Sequence, residues 1–229
     1  MTTWARTLAV FDLETTGVDV RTSRIVSAHV GLLDEAGGVI ESRTWLADPG
    51  VEIPEQATAV HGISTERARA EGRPAPEVVA EIVATLRTYL ARGIPITIFN
   101  APYDLSLLAH EARRHGVEPL ADPTPIVDPL VIDKALDRYR RGKRTLTLTA
   151  EFYGVALDGA HDASVDAIAA GRVAQEIARR FPAELGVSAE ELHTLQAACS
   201  ADQAASFQEY MRRVKDPAFV ATGDWPLRG

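Results

Sequence analysis

The chain has 229 residues, 46% of them hydrophobic and 24% charged, which is the balance of an ordinary globular protein long enough to bury its own core. Its formal net charge of −8 argues against a general nucleic-acid-coating protein, which carries a basic footprint, but not against an enzyme that meets phosphates through metal ions. A single cysteine, Cys199, excludes an internal disulfide and a cysteine-cluster zinc site and fits a reducing compartment.

The N-terminal run MTTWARTLAVFDLE reaches acids too early for a secretory signal, and no stretch of about 18 apolar residues predicts a membrane span. The expected location is the cytoplasm. Residues 7–14, TLAVFDLE, read as a strand. Alternation puts Asp12 and Glu14 on one face and Phe11 and Leu13 on the other. A second strand is predicted over 24–34 and a third over 39–48, joined by a hairpin at Gly37-Gly38. A loop over 48–54 leads to short helical turns over 55–60 and 64–70, with His61-Gly62-Ile63 between them.

Helical spacing and a closing glycine predict a helix over 74–93, followed by a short apolar strand over 94–99. Asn100 to Pro102 opens the next helix, which carries Tyr103 and Asp104 in its first turn and ends at Gly116. A strand leading into a helix is expected over 125–136, then a basic loop over 137–144 and a helix over 145–155. Residues 161–181 read as a helix capped by Asp162 or Ser164 and broken by Pro182. An amphipathic helix over 188–214 and a Pro/Gly-rich tail complete the chain. The expected organisation is a domain over 1–181 and a helical extension over 182–229. The order of elements predicts a layered α/β domain with a mixed five-stranded sheet, a three-strand antiparallel meander plus parallel strands, flanked by helices.

Three elements carry chemistry. Asp12 and Glu14, about 6–7 Å apart at Cα in a strand, have the spacing to chelate one divalent ion. NAPYD (100–104) places Asp104 at a helix start, where the dipole favours a carboxylate. HDASVD (161–166) places Asp166 in the first turns of a helix and His161 in the loop before it. Each alone is ordinary: strand-end acids, a helix-start acid, a surface histidine.

Together, FDLETTG, NAPYD and H-x4-D, with AVHGIS at 59–64, resemble the DEDDh family of 3′–5′ exonucleases in its epsilon-like branch, over roughly residues 5–180. The resemblance implies a ribonuclease H-like fold and two Mg²⁺ or Mn²⁺ ions. By it, Asp12 bridges the ions, Glu14 and Asp166 complete the first, and Asp104 holds the second. Four converging carboxylates would otherwise repel and titrate upward. His161 is then the general base, and the product is a nucleoside 5′-monophosphate. Leu13, Thr15, Thr16, His61, Asn100 and His161 are the expected substrate contacts. Two positions depart from the family pattern: Phe99 stands where a His is usual, and Tyr103 where a Phe is usual.

The implied partner is a nucleic-acid 3′ end, single-stranded DNA first and RNA second, in proofreading or repair, with a DNA polymerase or sliding clamp as a further partner. A catalytically silent binding module would have lost one of the five residues, and all are present. A glycosidase built on Asp12 and Glu14 would leave Asp104, His161 and Asp166 without a role. DRYRRGKR (137–144) offers five basic residues for phosphate contact and Tyr139 for stacking, against an equal reading as a solvated loop. GKRT lacks the context of a phosphate-binding loop. QAASF (203–207) has a faint similarity to a clamp-binding peptide, but its spacing suits helix packing better.

Overall fold

The computed structural model describes residues 2–157, 159 and 161–228. The sheet begins with β1 (Leu8–Thr15), β2 (Ile25–Leu33) and β3 (Val39–Asp48), an antiparallel meander. All nine residues of β2 are buried, because helices cover both faces of the sheet there. Helices α1 (Glu55–His61) and α2 (Thr65–Glu71) lead to β4 (Arg73–Pro74) and α3 (Ala75–Ala91). Next come β5 (Ile96–Thr97), α4 (Ala101–Arg114), β6 (Ile126–Val127) and α5 (Pro129–Leu136). Helices α6 (Leu146–Tyr153), α7 (Ala163–Arg180) and α8 (Ala189–Val214) follow.

The strand order is β4-β3-β2-β1-β5-β6, with β5 and β6 parallel to β1. The mixed α/β sheet therefore has six strands rather than five. The extra strand, β4, pairs Arg73 with Ala47 and Pro74 with Asp48. Two residues carry no apolar alternation, so only the pairing itself reveals the strand.

Alternation along β1 divides its side chains between two layers. Ala9, Phe11 and Leu13 pack with Val78, Ile82 and Leu86 of α3 and Leu105 and Leu108 of α4. Val10 packs on the other face with Leu33 and Ala167 of α7. Gly171 lets α7 approach closely, since a Cβ there would lie 2.5 Å from Val10 Cγ1 and 2.6 Å from Leu33 Cδ1. Asp12 and Glu14 continue the Val10 face and so point toward the start of α7.

Caps set the helix starts. Asp162 accepts from the Ser164 and Val165 amides at α7, and Ser188 forms a reciprocal capping box with Glu191 at α8. Helix α8 is tied to the body by Gln203, which donates to Val131 O at 3.0 Å, so the QAASF segment is engaged in packing. Leu185, Leu192 and Trp225 are buried in the same clusters as the preceding residues. No helix among the described residues is long and apolar enough to cross a membrane.

A candidate metal centre and the pocket beside it

Asp12, Glu14 and Asp166 meet at the α7 face of β1, each offering a carboxylate oxygen within 4.8 Å of the other two. Asp104, 3% exposed in the first turn of α4, lies beside them, and its Oδ1 accepts from the Leu13 amide at 3.1 Å. Strand alternation thus presents two acids, while the residue between them fixes a third through its backbone.

The electrostatics are those of a site short of positive charge. Burial pushes Asp12 well above the usual carboxylate range, and the charges of Asp104, Glu14, Asp166 and Asp162 add to it. Glu14 is pushed up to about 8 by burial, then by Asp166 and Asp162. Asp104 is raised by burial although the Leu13 amide opposes it, and Asp166 is raised by burial against the His161 amide and ring. Asp166 Oδ2 accepts from the His161 amide at 3.1 Å, but Oδ1 is buried without a partner. A buried carboxylate oxygen with no donor, among other carboxylates, is a seat for a cation. An all-oxygen donor set fits Mg²⁺ or Mn²⁺ better than zinc.

His161 is exposed at the mouth of this cluster, with its backbone in the left-handed region at φ 72°. That conformation aims its N–H at Asp166.

A pocket of about 590 Å³ opens on the other side of Glu14. Leu13, Thr15, Thr16 and Gly17 form one wall, Ala57, Val60 and His61 another, and Tyr103 closes it. Its lining is mostly apolar, as a nucleobase or sugar face requires. The Tyr103 hydroxyl donates to Gly17 O at 2.6 Å, and Thr15 Oγ1 donates to the same oxygen at 2.8 Å. The two hydroxyls lie 2.5 Å apart. These contacts lock the turn after Glu14 onto α4. His61 Nδ1 accepts from the Ile63 amide at 3.1 Å, so the ring proton sits on Nε2, which is buried at the pocket near the Thr15 backbone. Burial pulls the His61 pKa down, opposed by the Thr15 backbone.

The expected substrate contacts divide. Leu13, Thr15, Thr16 and His61 line the pocket and His161 stands at the acids. Asn100 does not line the pocket; it contributes its backbone, in the left-handed region at φ 67°, to the start of α4. The basic loop is half structural, because Arg140 and Arg144 bind the buried Asp133 and Arg140 also stacks 4.1 Å above the Phe152 ring. Tyr139 is 87% exposed. Thr145 of GKRT caps α6.

Sequence reasoning missed three contributors. Asp162 adds its charge to Glu14, the Tyr103 hydroxyl braces the turn, and Asp128 accepts from the Asn100 and Ala101 amides. Asp128 left the Asp-Pro pair of a capped helix start, and Asp162 was legible as a cap but not as a charge at the site.

A family model for exonucleases of the RNase T type matches residues 9–174. The PolC-type DNA polymerase III of Streptococcus thermophilus is 27% identical over 169 residues, covering 73% of this chain and 11% of that protein. The corresponding Streptococcus pneumoniae protein is 25% identical over the same length. The chain thus spans about a tenth of the length of these relatives. Among solved structures, the E. coli ExoI–ssDNA complex in its zinc-bound form superposes with a TM-score of 0.66 at 21% identity, covering 77% of this chain and 41% of that one. Exonuclease I from Methylocaldum szegediense gives 0.61 at 21% identity, covering 90% and 45%. These likenesses are to the fold.

Proposed function

The chain belongs to the RNase T family of exonucleases, with the DEDDh motif set on a ribonuclease H-like fold, and we propose that it removes nucleotides from the 3′ end of single-stranded DNA, releasing nucleoside 5′-monophosphates. The observation that carries this reading is the unpartnered Asp166 Oδ1 within a carboxylate cluster that adjoins a nucleotide-sized apolar pocket.

Asp12, Glu14 and Asp166 would hold one divalent ion, and Asp104 with Asp12 a second. Two Mg²⁺ or Mn²⁺ ions supply Lewis acidity at the phosphate and charge compensation for the acids. His161 takes the proton of the attacking water at its ring nitrogen. Water attacks the terminal phosphorus, and the 3′ oxygen of the preceding nucleotide leaves. The apolar pocket accepts a base by its face, which favours removal without regard to sequence. The His61 Nε2–H would donate to an oxygen of the terminal nucleotide. The single-stranded DNA bound in the ExoI complex supports DNA as substrate, and the PolC-type relatives support work beside a polymerase, in proofreading or repair.

The test is a 5′-labelled DNA strand and the matching RNA, incubated with Mg²⁺, Mn²⁺ or EDTA beside Asp12→Ala. The expected result is metal-dependent shortening from the 3′ end, faster on DNA and absent in the variant. Shortening from the 5′ end, or activity that survives EDTA, would overturn the reading.

A further inference from the structure

Residues 189–228 lie beyond the family match, yet they return to the acid site. Asp128 is fully buried and accepts four N–H groups. Oδ1 takes the Asn100 and Leu130 amides, both at 3.0 Å. Oδ2 takes the Ala101 amide at 2.9 Å and the Trp225 indole Nε1 at 3.3 Å. The Asp128 amide in turn donates to Gln196 of α8 at 2.6 Å. His193 of α8 packs against the Trp225 ring with centroids 4.8 Å apart. Farther along the tail, the Arg228 amide donates to Ser106 Oγ at 2.8 Å.

The Asp128 bonds to Asn100 and Ala101 and the Arg228 bond to Ser106 land on the segment that presents Asp104, and Trp225, Gln196 and His193 back Asp128 from behind. Asn100 occupies the left-handed region, which asparagine tolerates better than other side-chain-bearing residues. Asp128 fixes it by gripping two consecutive amides. α4 starts from that turn, with Asp104 in its first turn and Ser106 two residues on. A buried carboxylate oxygen that loses a donor is left partly unsatisfied, and the side chain shifts to recover that loss, carrying the amides it holds with it.

We propose that Trp225 is a positioning residue for Asp104: its indole N–H completes the donor set of Asp128, which fixes the Asn100–Ala101 turn from which Asp104 reaches the metal site. The inference rests on the metal-dependent reading of the acid cluster. It gives the C-terminal tail a part in metal binding rather than in packing alone.

The experiment uses the full chain carrying Trp225→Phe, which keeps a ring against His193 and removes the N–H. Mn²⁺ binding is read without substrate, from the free-ion electron paramagnetic resonance signal. kcat and KM on a labelled strand and the Tm in EDTA accompany it. Ser106→Ala removes the second tail contact with a smaller change. Phe219→Ala breaks the edge-on contact with Phe207, at 5.5 Å between centroids, and loosens the same tail away from Asp128. The expected result is Mn²⁺ affinity weakened roughly tenfold in Trp225→Phe. Ser106→Ala should weaken it less, and kcat should fall at limiting Mn²⁺ with KM for the strand held. Phe219→Ala should lower the Tm and leave Mn²⁺ affinity alone. Wild-type affinity in both Trp225→Phe and Ser106→Ala would overturn the inference. So would an equal loss in Phe219→Ala, which would mark a general loosening. A wild type that binds Mn²⁺ but shortens no strand would sink the exonuclease reading and leave this inference standing; one that binds no Mn²⁺ would sink both.

Discussion

Two buried acid centres in this molecule are built in opposite ways. Asp133 in α5 is fully buried, and the chain supplies its countercharge: Arg140 and Arg144 bind its carboxylate and the Tyr153 hydroxyl donates to it at 2.9 Å. Glu111 follows the same pattern, fully buried against Arg114 and the Ile25 amide. Around Asp12 the neighbouring charges are other carboxylates, and all four acids are raised above their usual range. A fold that can neutralise a buried carboxylate, and does so elsewhere, has left this cluster for a cation from solution. The contrast separates acids that hold the fold from acids that do chemistry.

The sharpest way to break that comparison is to neutralise one acid of each kind. Asp12→Asn should cost at least about a thousandfold in activity, because it removes a ligand to the catalytic charge. The same change should not lower the Tm in EDTA, since it relieves repulsion. Asp133→Asn should do the reverse, removing the main countercharge of two largely buried guanidinium groups and costing about 3–5 kcal/mol in denaturant unfolding. If both substitutions destabilise the metal-free protein equally, the distinction between the centres fails.

A smaller effect is expected at Gly171. Alanine there would press on Val10 and Leu33, lift α7 and cost about 1–3 kcal/mol. Activity should fall as well, because α7 carries Asp166. Tyr103→Phe is milder still: Gly17 O keeps only the Thr15 donor, a loss of about 1 kcal/mol. KM should rise more than kcat falls, since the pocket loosens and the acids stay.

The pH dependence of stability sharpens the contrast without touching activity. In the folded protein Glu14 titrates at about 8, against an ordinary 4.5. Between those values the native state holds a proton that the unfolded state has released, so stability contributed by this group falls as pH rises. In EDTA, wild-type Tm measured relative to Glu14→Gln should therefore decline from pH 4.5 to about 8 and level off beyond it. A difference that rises with pH would contradict the assigned direction.

Much of this was legible in the sequence. Period-2 alternation in TLAVFDLE gave the shared face of Asp12 and Glu14, and helix-start chemistry put Asp104 and Asp166 in first turns. What was not legible depends on contacts distant in sequence. The two-residue β4 exists only through its pairing with β3. Arg140 and Arg144 read equally as phosphate contacts or as part of a solvated loop until Asp133 is seen beneath them. Tyr103 and Gly17 are 86 positions apart, and Trp225 and Asp128 are 97. No periodicity reports such pairs, because a side chain's partner across the fold leaves no mark on its local sequence.

The most direct measurement is differential scanning calorimetry of EDTA-treated protein at pH 8, titrated with Mn²⁺ and run beside Asp12→Asn. An acid cluster that lacks its countercharge predicts a Tm that climbs with Mn²⁺ in the wild type, by linkage to a ligand bound only in the folded state, and stays flat in the variant. A wild-type Tm indifferent to Mn²⁺, or a variant that climbs as steeply, would contradict it.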